Sequence, residues 1–239
     1  MKRPHVIVIL LVLLFSADLA YGQEIEPEEE YFKEFVWGIN KNTNGGLIGG
    51  FFMRHSRRKK GKLYETFTLE LLNVKHPKEQ RYTSNQTGTS FIWGKQNYLY
   101  AIRGMYGYDK ILFRKAPQQG VQINAGLAAG PSIGVVSPYY VLTQGGQYQQ
   151  YDPDVISSLN LIQGPGRIFQ GLGESKIVPG INARATVSFE FGAFRNNVTG
   201  IELGVSAEQY VRRIVLVPTQ ENDSFFTAAF ITLYWGTRK

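Results

Sequence analysis

His55 and Ser56 are the only place in this chain where a histidine stands beside a hydroxyl. Small barrels that deacylate lipid A use a His and a Ser with a carboxylate, so the pair is the first candidate for nucleophilic chemistry. Neighbours on a regular strand point to opposite faces, so this pair has no direct route for a proton. His5 belongs to the leader, which leaves only His55 and His76, and the chain has no cysteine. No metal-ligand spacing is visible, no disulfide can form, and a lipoprotein anchor on an N-terminal Cys is excluded. The glycines between Gly126 and Gly134 lack the phosphate-loop pattern and suit barrel curvature better. The sequence therefore names no catalytic, cofactor-binding or metal residue and predicts a non-enzyme.

A second set is more informative. Glu70, Arg103, Arg184, Glu190, Glu202, Glu208 and Arg212 stand at polar positions of segments that alternate between apolar and polar residues. Facing one another, they would form ion pairs. The elements that must hold them are set by the stretch Ile181 to Ala193, where Ile181, Ala183, Ala185, Val187, Phe189, Phe191 and Ala193 fall on one face. Asn182, Arg184, Thr186, Ser188, Glu190 and Gly192 fall on the other, a period of two. Soluble strands average about 5–6 residues, whereas a tilted strand needs about 9–11 to cross a bilayer. This stretch is long enough to cross, with apolar side chains toward lipid and polar ones toward a lumen.

The same alternation recurs from Glu34 to Lys41, Leu47 to Ser56, Tyr64 to Val74, Phe91 to Phe113, Val121 toward Tyr140, Ile201 to Glu208 and Phe225 to Trp235. With the organising stretch these make eight strands. Short turns follow the second, fourth and sixth, and loops of varied length follow the others. The longest loop, Leu142 to Lys176, contains Asp152 to Leu159, which predicts a short helix capped by Asp152. Gly130-Pro131 predicts a kink, a bulge or an early strand end. The fold class expected is all-β: an eight-stranded antiparallel up-and-down transmembrane barrel over 34–239. An interior of that size is about filled by side chains, so the charged set predicts a plugged core of ion pairs, with a narrow ion path as the rival reading.

Met1-Lys2-Arg3, the apolar run Val6 to Leu14 and Ala20-Tyr21-Gly22 predict a signal peptide over 1–22. An acidic arm follows over 23–33, with Glu24, Glu26, Glu28, Glu29 and Glu30. The formal net charge is +7, yet Arg54, Arg57, Arg58, Lys59, Lys60 and Lys62 cluster at a turn instead of interleaving with aromatics. That pattern suits solvated or lipid-phosphate-facing charge, and nucleic acid is not expected as a partner. Trp37, Trp93, Tyr98, Tyr106, Tyr108, Tyr139, Tyr140, Tyr234 and Trp235 sit mostly near expected strand ends and predict interfacial girdles.

The last strand, Ala229-Phe230-Ile231-Thr232-Leu233-Tyr234-Trp235, resembles the terminal strand of outer-membrane β-barrel proteins. With the Gly- and Tyr-rich body and the strand count, the chain after the leader resembles the small outer-membrane barrels of Bacteroidetes, including the PorT-like group. Gly236-Thr237-Arg238-Lys239 follow Trp235, where that group places its final aromatic. The resemblance implies insertion by the outer-membrane barrel assembly machinery, outer-membrane lipid around the wall, and a link to protein secretion. The expected function is a structural or accessory envelope component with both termini periplasmic and an envelope protein as a further candidate partner. A secreted, lipocalin-like soluble barrel is the alternative, with apolar faces turned inward. A lipid-modifying outer-membrane enzyme is the third reading.

Overall fold

The computed structural model describes residues 31–45, 49–114, 120–167, 170–191 and 196–239. The signal peptide, the arm up to Glu30, and Gly192 and Ala193 of the organising stretch lie outside the described residues.

Eight strands close a barrel: β1 (Lys33–Asn42), β2 (Gly50–Lys60), β3 (Leu63–Val74), β6 (Asn97–Phe113), β7 (Gln122–Pro138), β11 (Lys176–Phe191), β12 (Asn197–Tyr210) and β13 (Phe225–Arg238). Each pairs antiparallel with its neighbour in the chain, and β1 pairs with β13 to close the ring. The expected up-and-down order is therefore the order observed. The connections β2 to β3, β6 to β7 and β11 to β12, together with the start of β1 and the end of β13, define a turn rim. The other connections, from the short one between β1 and β2 to the long one between β7 and β11, define a loop rim opposite.

The alternation predicted for the organising stretch fixes which side faces in. Along β11, Asn182, Arg184, Thr186, Ser188 and Glu190 are buried, while Ile181 is 67 % exposed. Glu34, Asn40, Arg54, Thr66, Thr68 and Thr232 are likewise buried on β1, β2, β3 and β13. Phe35, Trp37, Ile39, Phe67, Leu69, Leu71, Leu127, Leu203, Val205, Ile231 and Leu233 are exposed on the outer wall. The lipocalin-like alternative needed the reverse, and the fold contradicts it.

Glycines make room where rings fill the lumen. A Cβ on Gly200 would run into the Tyr234 ring, and one on Gly134 would lie 2.6 Å from the Tyr210 ring. At Gly130-Pro131 the strand neither ends nor bulges: β7 continues through both residues. Its β6 ladder pairs Arg103 with Ser132 and Tyr106 with Ala129, in one register, and skips the positions between. Proline has no N–H to give there. The Asn182 side chain, from the lumen side, donates to the carbonyls of Gly130 and Pro131 at 3.0 Å each.

The long loops are more ordered than their composition predicts. β4 (Gln80–Thr83) and β5 (Ser90–Trp93) form a hairpin between β3 and β6. β8 (Tyr140–Thr143), β9 (Tyr148–Gln150) and β10 (Ile162–Pro165) form a second small sheet in the order β10-β8-β9. Phe91, Tyr139, Val141, Tyr151, Ile156 and Ile162 are its shared apolar core. The short helix expected from Asp152 does not form; the chain makes a single hydrogen-bonded turn there. Ile156 N donates to Asp152 O at 2.8 Å, and the Asp152 carboxylate accepts from Asp154 N at 3.0 Å.

Candidate functional site

The lumen is built in three tiers, each from side chains that parity sends inward. In the middle tier a single chain of alternating charge crosses the barrel. Asp109 meets Arg54 at 3.2 Å, and Arg54 meets Glu202 at 2.6 Å. Glu202 is bound by Arg184, which also binds Glu70. Glu70 meets Arg103 at 3.4 Å, and Arg103 grips Glu208 with two parallel bonds, from Nε at 3.1 Å and Nη2 at 2.7 Å. Isolated buried charges would cost several kcal/mol each, but here every guanidinium lies between two carboxylates. The void beside Arg54, Thr66, Thr68, Asp109, Arg184 and Thr186 measures about 10 Å³, barely room for one water.

Toward the turn rim, Arg238 joins Glu34 at 2.8 Å and binds Glu190, with its guanidinium 4.1 Å from the centre of the Tyr31 ring. Toward the loop rim the lumen turns apolar. Leu72, Val74, Leu99, Ala101, Val178 and Tyr210 from the wall pack on Ile214, Leu216 and Val217, which belong to the connection between β12 and β13. That connection folds into the mouth as a plug, and Leu216 is fully buried. Asn222 holds the plug's shape: its Oδ1 accepts from Leu216 N at 2.8 Å and its Nδ2 donates to Val217 O at 2.9 Å. The plug is tied to the wall by Gln96 N donating to Leu216 O at 2.8 Å.

Of the charged set read from sequence, Glu70, Arg103, Arg184, Glu202 and Glu208 meet in the middle tier and Glu190 lies in the tier below. Arg212 does not join them. β12 ends at Tyr210, so Arg212 has left the alternating strand and is exposed beyond the loop rim. Sequence reading missed Arg54, Asp109, Glu34 and Arg238. Parity held the signal in each case: Arg54 shares its face with Phe52 and Ser56, Asp109 with Arg103, Glu34 with Val36, and Arg238 with Tyr234. Arg54 adjoins the basic turn in sequence, but its guanidinium points into the lumen.

The aromatics divide. Trp37 and Trp235 are an exposed cross-strand pair on the outer wall, with ring centres 5.7 Å apart. Tyr106 and Tyr108 also face out. Their hydroxyls lie 2.8 Å apart, Tyr106 donates to Glu65, and Lys59 donates to Tyr108 at 2.9 Å. Tyr234 is a correction, since it is next to Trp235 and therefore points into the lumen, buried against Phe52. Trp93, Tyr98 and Tyr139 pack together with Tyr151 in the loop head instead of forming a girdle, because the small sheets cover them. Tyr140 is half-buried in the same head and donates to Glu174 at 2.8 Å.

The head contains its own buried charge. Lys95 has no exposure and donates to Glu79 at 2.5 Å, with Nζ 4.6 Å from the centre of the Tyr98 ring. Burial holds its ammonium below the ordinary lysine range, and Glu79 offsets this only in part. Burial likewise pushes the phenols of Tyr139 and Tyr151 up.

His55 is exposed on the outer wall and Ser56 is buried in the lumen, so the pair is split by the strand as its spacing predicts. Among the described residues no group of three or more His, Cys, Asp and Glu side chains could hold a metal ion.

No known family model matches the chain, and no curated protein matches it. Among solved structures, the chain is similar to Ail, the attachment invasion locus protein of Yersinia pestis, in complex with the heparin analogue sucrose octasulfate. That match has 12 % identity, covers 88 % of this chain and 99 % of Ail, and has a TM-score of 0.39. A second Ail structure matches at 11 % identity with the same coverage and TM-score. Neisserial surface protein A matches at 12 % identity over 87 % of this chain and 95 % of its own, with a TM-score of 0.38.

Proposed function

We propose that this chain is an integral outer-membrane barrel, a non-enzymatic structural or accessory component of the cell envelope with a lumen closed by its own side chains. One observation carries the reading. The barrel is inverted relative to a soluble protein, with an apolar wall outside and ion pairs inside. Exposed apolar side chains run around the wall on strand after strand, whereas soluble monomers rarely expose contiguous apolar patches above a few hundred Å². Strands of 10–17 residues are long enough to cross a bilayer.

In this reading the leader is removed, the barrel assembly machinery inserts the chain, and outer-membrane lipid surrounds the wall. The turn rim and both termini face the periplasm. The loop head faces outward and meets an envelope protein partner; a link to protein secretion follows only from the resemblance to the PorT-like group.

Membrane fractions washed with carbonate should retain the protein, and release into the wash would sink the membrane assignment. Orientation is read by single-cysteine labelling, since the native chain has no cysteine. Lys60 and Gln147 are exposed at opposite rims. Gln147→Cys in intact cells should react with an impermeant maleimide, and Lys60→Cys only after the outer membrane is opened. The reverse pattern would invert the topology.

A further inference from the structure

We infer that the turn rim is a docking surface for the anionic phospholipid headgroups of the leaflet at that end, an assignment that rests on the membrane reading above. The two rims differ in the sign of their charge. At the turn rim Lys33, Arg57, Lys59, Lys60, Lys62 and Lys239 are exposed. Among the described residues the carboxylates near that end are otherwise engaged: Glu34 and Glu190 are turned into the lumen on Arg238, and Glu65 on the outer wall accepts from Tyr106. At the loop rim exposed groups of both signs occur, Lys78, Lys176 and Arg213 together with Asp154, Glu174, Glu221 and Asp223. A surface that needs only hydration has no use for a single sign, because like charges repel.

Position adds a second argument. These cations stand where the outer apolar wall ends, not around the lumen. Arg57 follows Phe51, Met53 and His55 on the outer face of β2. Two cations rest against aromatic rings of the same boundary, Arg58 5.6 Å from the Phe32 ring centre and Lys59 4.7 Å from that of Tyr108. This is the arrangement of side chains whose stems lie on an apolar surface while their charged ends reach for the phosphate layer. A juxtamembrane cation gains most from an anionic leaflet, by about fivefold in local affinity each, and the gain fades within a Debye length.

The test uses the full chain reconstituted into phosphatidylcholine vesicles with and without one third phosphatidylglycerol. Either lipid carries brominated tails, which quench Trp37 and Trp235 on the outer wall. At equal mole fraction brominated phosphatidylglycerol should quench more strongly than brominated phosphatidylcholine. The excess should collapse in about 0.5 M salt, where screening is short-ranged, and in the combined variant Arg57→Gln, Lys60→Gln, Lys62→Gln. The salt arm uses the unaltered chain, so the test does not depend on the variant's folding. Equal quenching by both lipids, or an excess indifferent to salt, would overturn the headgroup site and leave the membrane reading standing. Absence of quenching by either lipid would remove both.

Discussion

Arg184 is the hinge of the lumen's charge chain, because it alone binds both Glu70 and Glu202. Removing it leaves Glu70 with Arg103 at 3.4 Å and Glu202 with Arg54 at 2.6 Å, each one partner short in a site that excludes water. Arg184→Ala should therefore cost about 3–5 kcal/mol of barrel stability, the usual result of stripping one partner from a buried ion pair. Arg212→Ala, an exposed change outside the lumen, should stay within about 0.5 kcal/mol. Urea unfolding of the detergent-folded protein compares them, and equal midpoints would refute the role given to Arg184. The inward placement of Arg184 was legible because a period of two holds over its whole strand. That of Arg54 was less so, because four cations follow within six residues and composition outweighed parity in the reading.

Among the elements, the connection between β12 and β13 departs most from its sequence. Ile214-Val215-Leu216-Val217 is too short an apolar run to be assigned by periodicity, and the loop expected from sequence is Pro218 to Asp223, just beyond it. In the fold it is the apolar plug of the mouth. Leu216→Ala should cost about 2–5 kcal/mol by the cavity it leaves, and the loss should be local. Hydrogen exchange reads it: amides of 214–217 should exchange faster, while those of β11 keep their protection. Uniform loss along β11 would mean that the plug and wall unfold as one. The small sheets of the head escaped the sequence reading for a related reason. β8, β9 and β10 are only 3–4 residues long, so their signal is contact between distant segments rather than any local pattern. Such contacts are also what turned Trp93, Tyr98 and Tyr139 from expected girdle residues into core.

For the whole molecule, the plug and the charge chain are two closures in series. The purified barrel in a planar bilayer should pass no steady porin-sized current, and shortening the loop across 213–221 should leave it closed, because the ion pairs fill the section beneath. A stable large conductance from the unaltered protein would overturn the filled lumen. The ring itself depends on one seam. Seven of its eight junctions join strands consecutive around the barrel, but β1 meets β13 from the far end of the chain, in register from Glu34 opposite Arg238 to Asn42 opposite Phe230. Until that last strand arrives, a ribbon of seven has two open edges, and each can accept another chain as readily as its own. The second edge of the first strand thus stays unpaired until the last strand of the chain is in place. Closure is then a single late event of high loop-closure cost. Arg238, reaching across the seam to Glu34 and down to Glu190, fastens it only once both edges are in place. A chain cut short before β13 keeps both edges open, and edge-to-edge association with other chains is the expected outcome.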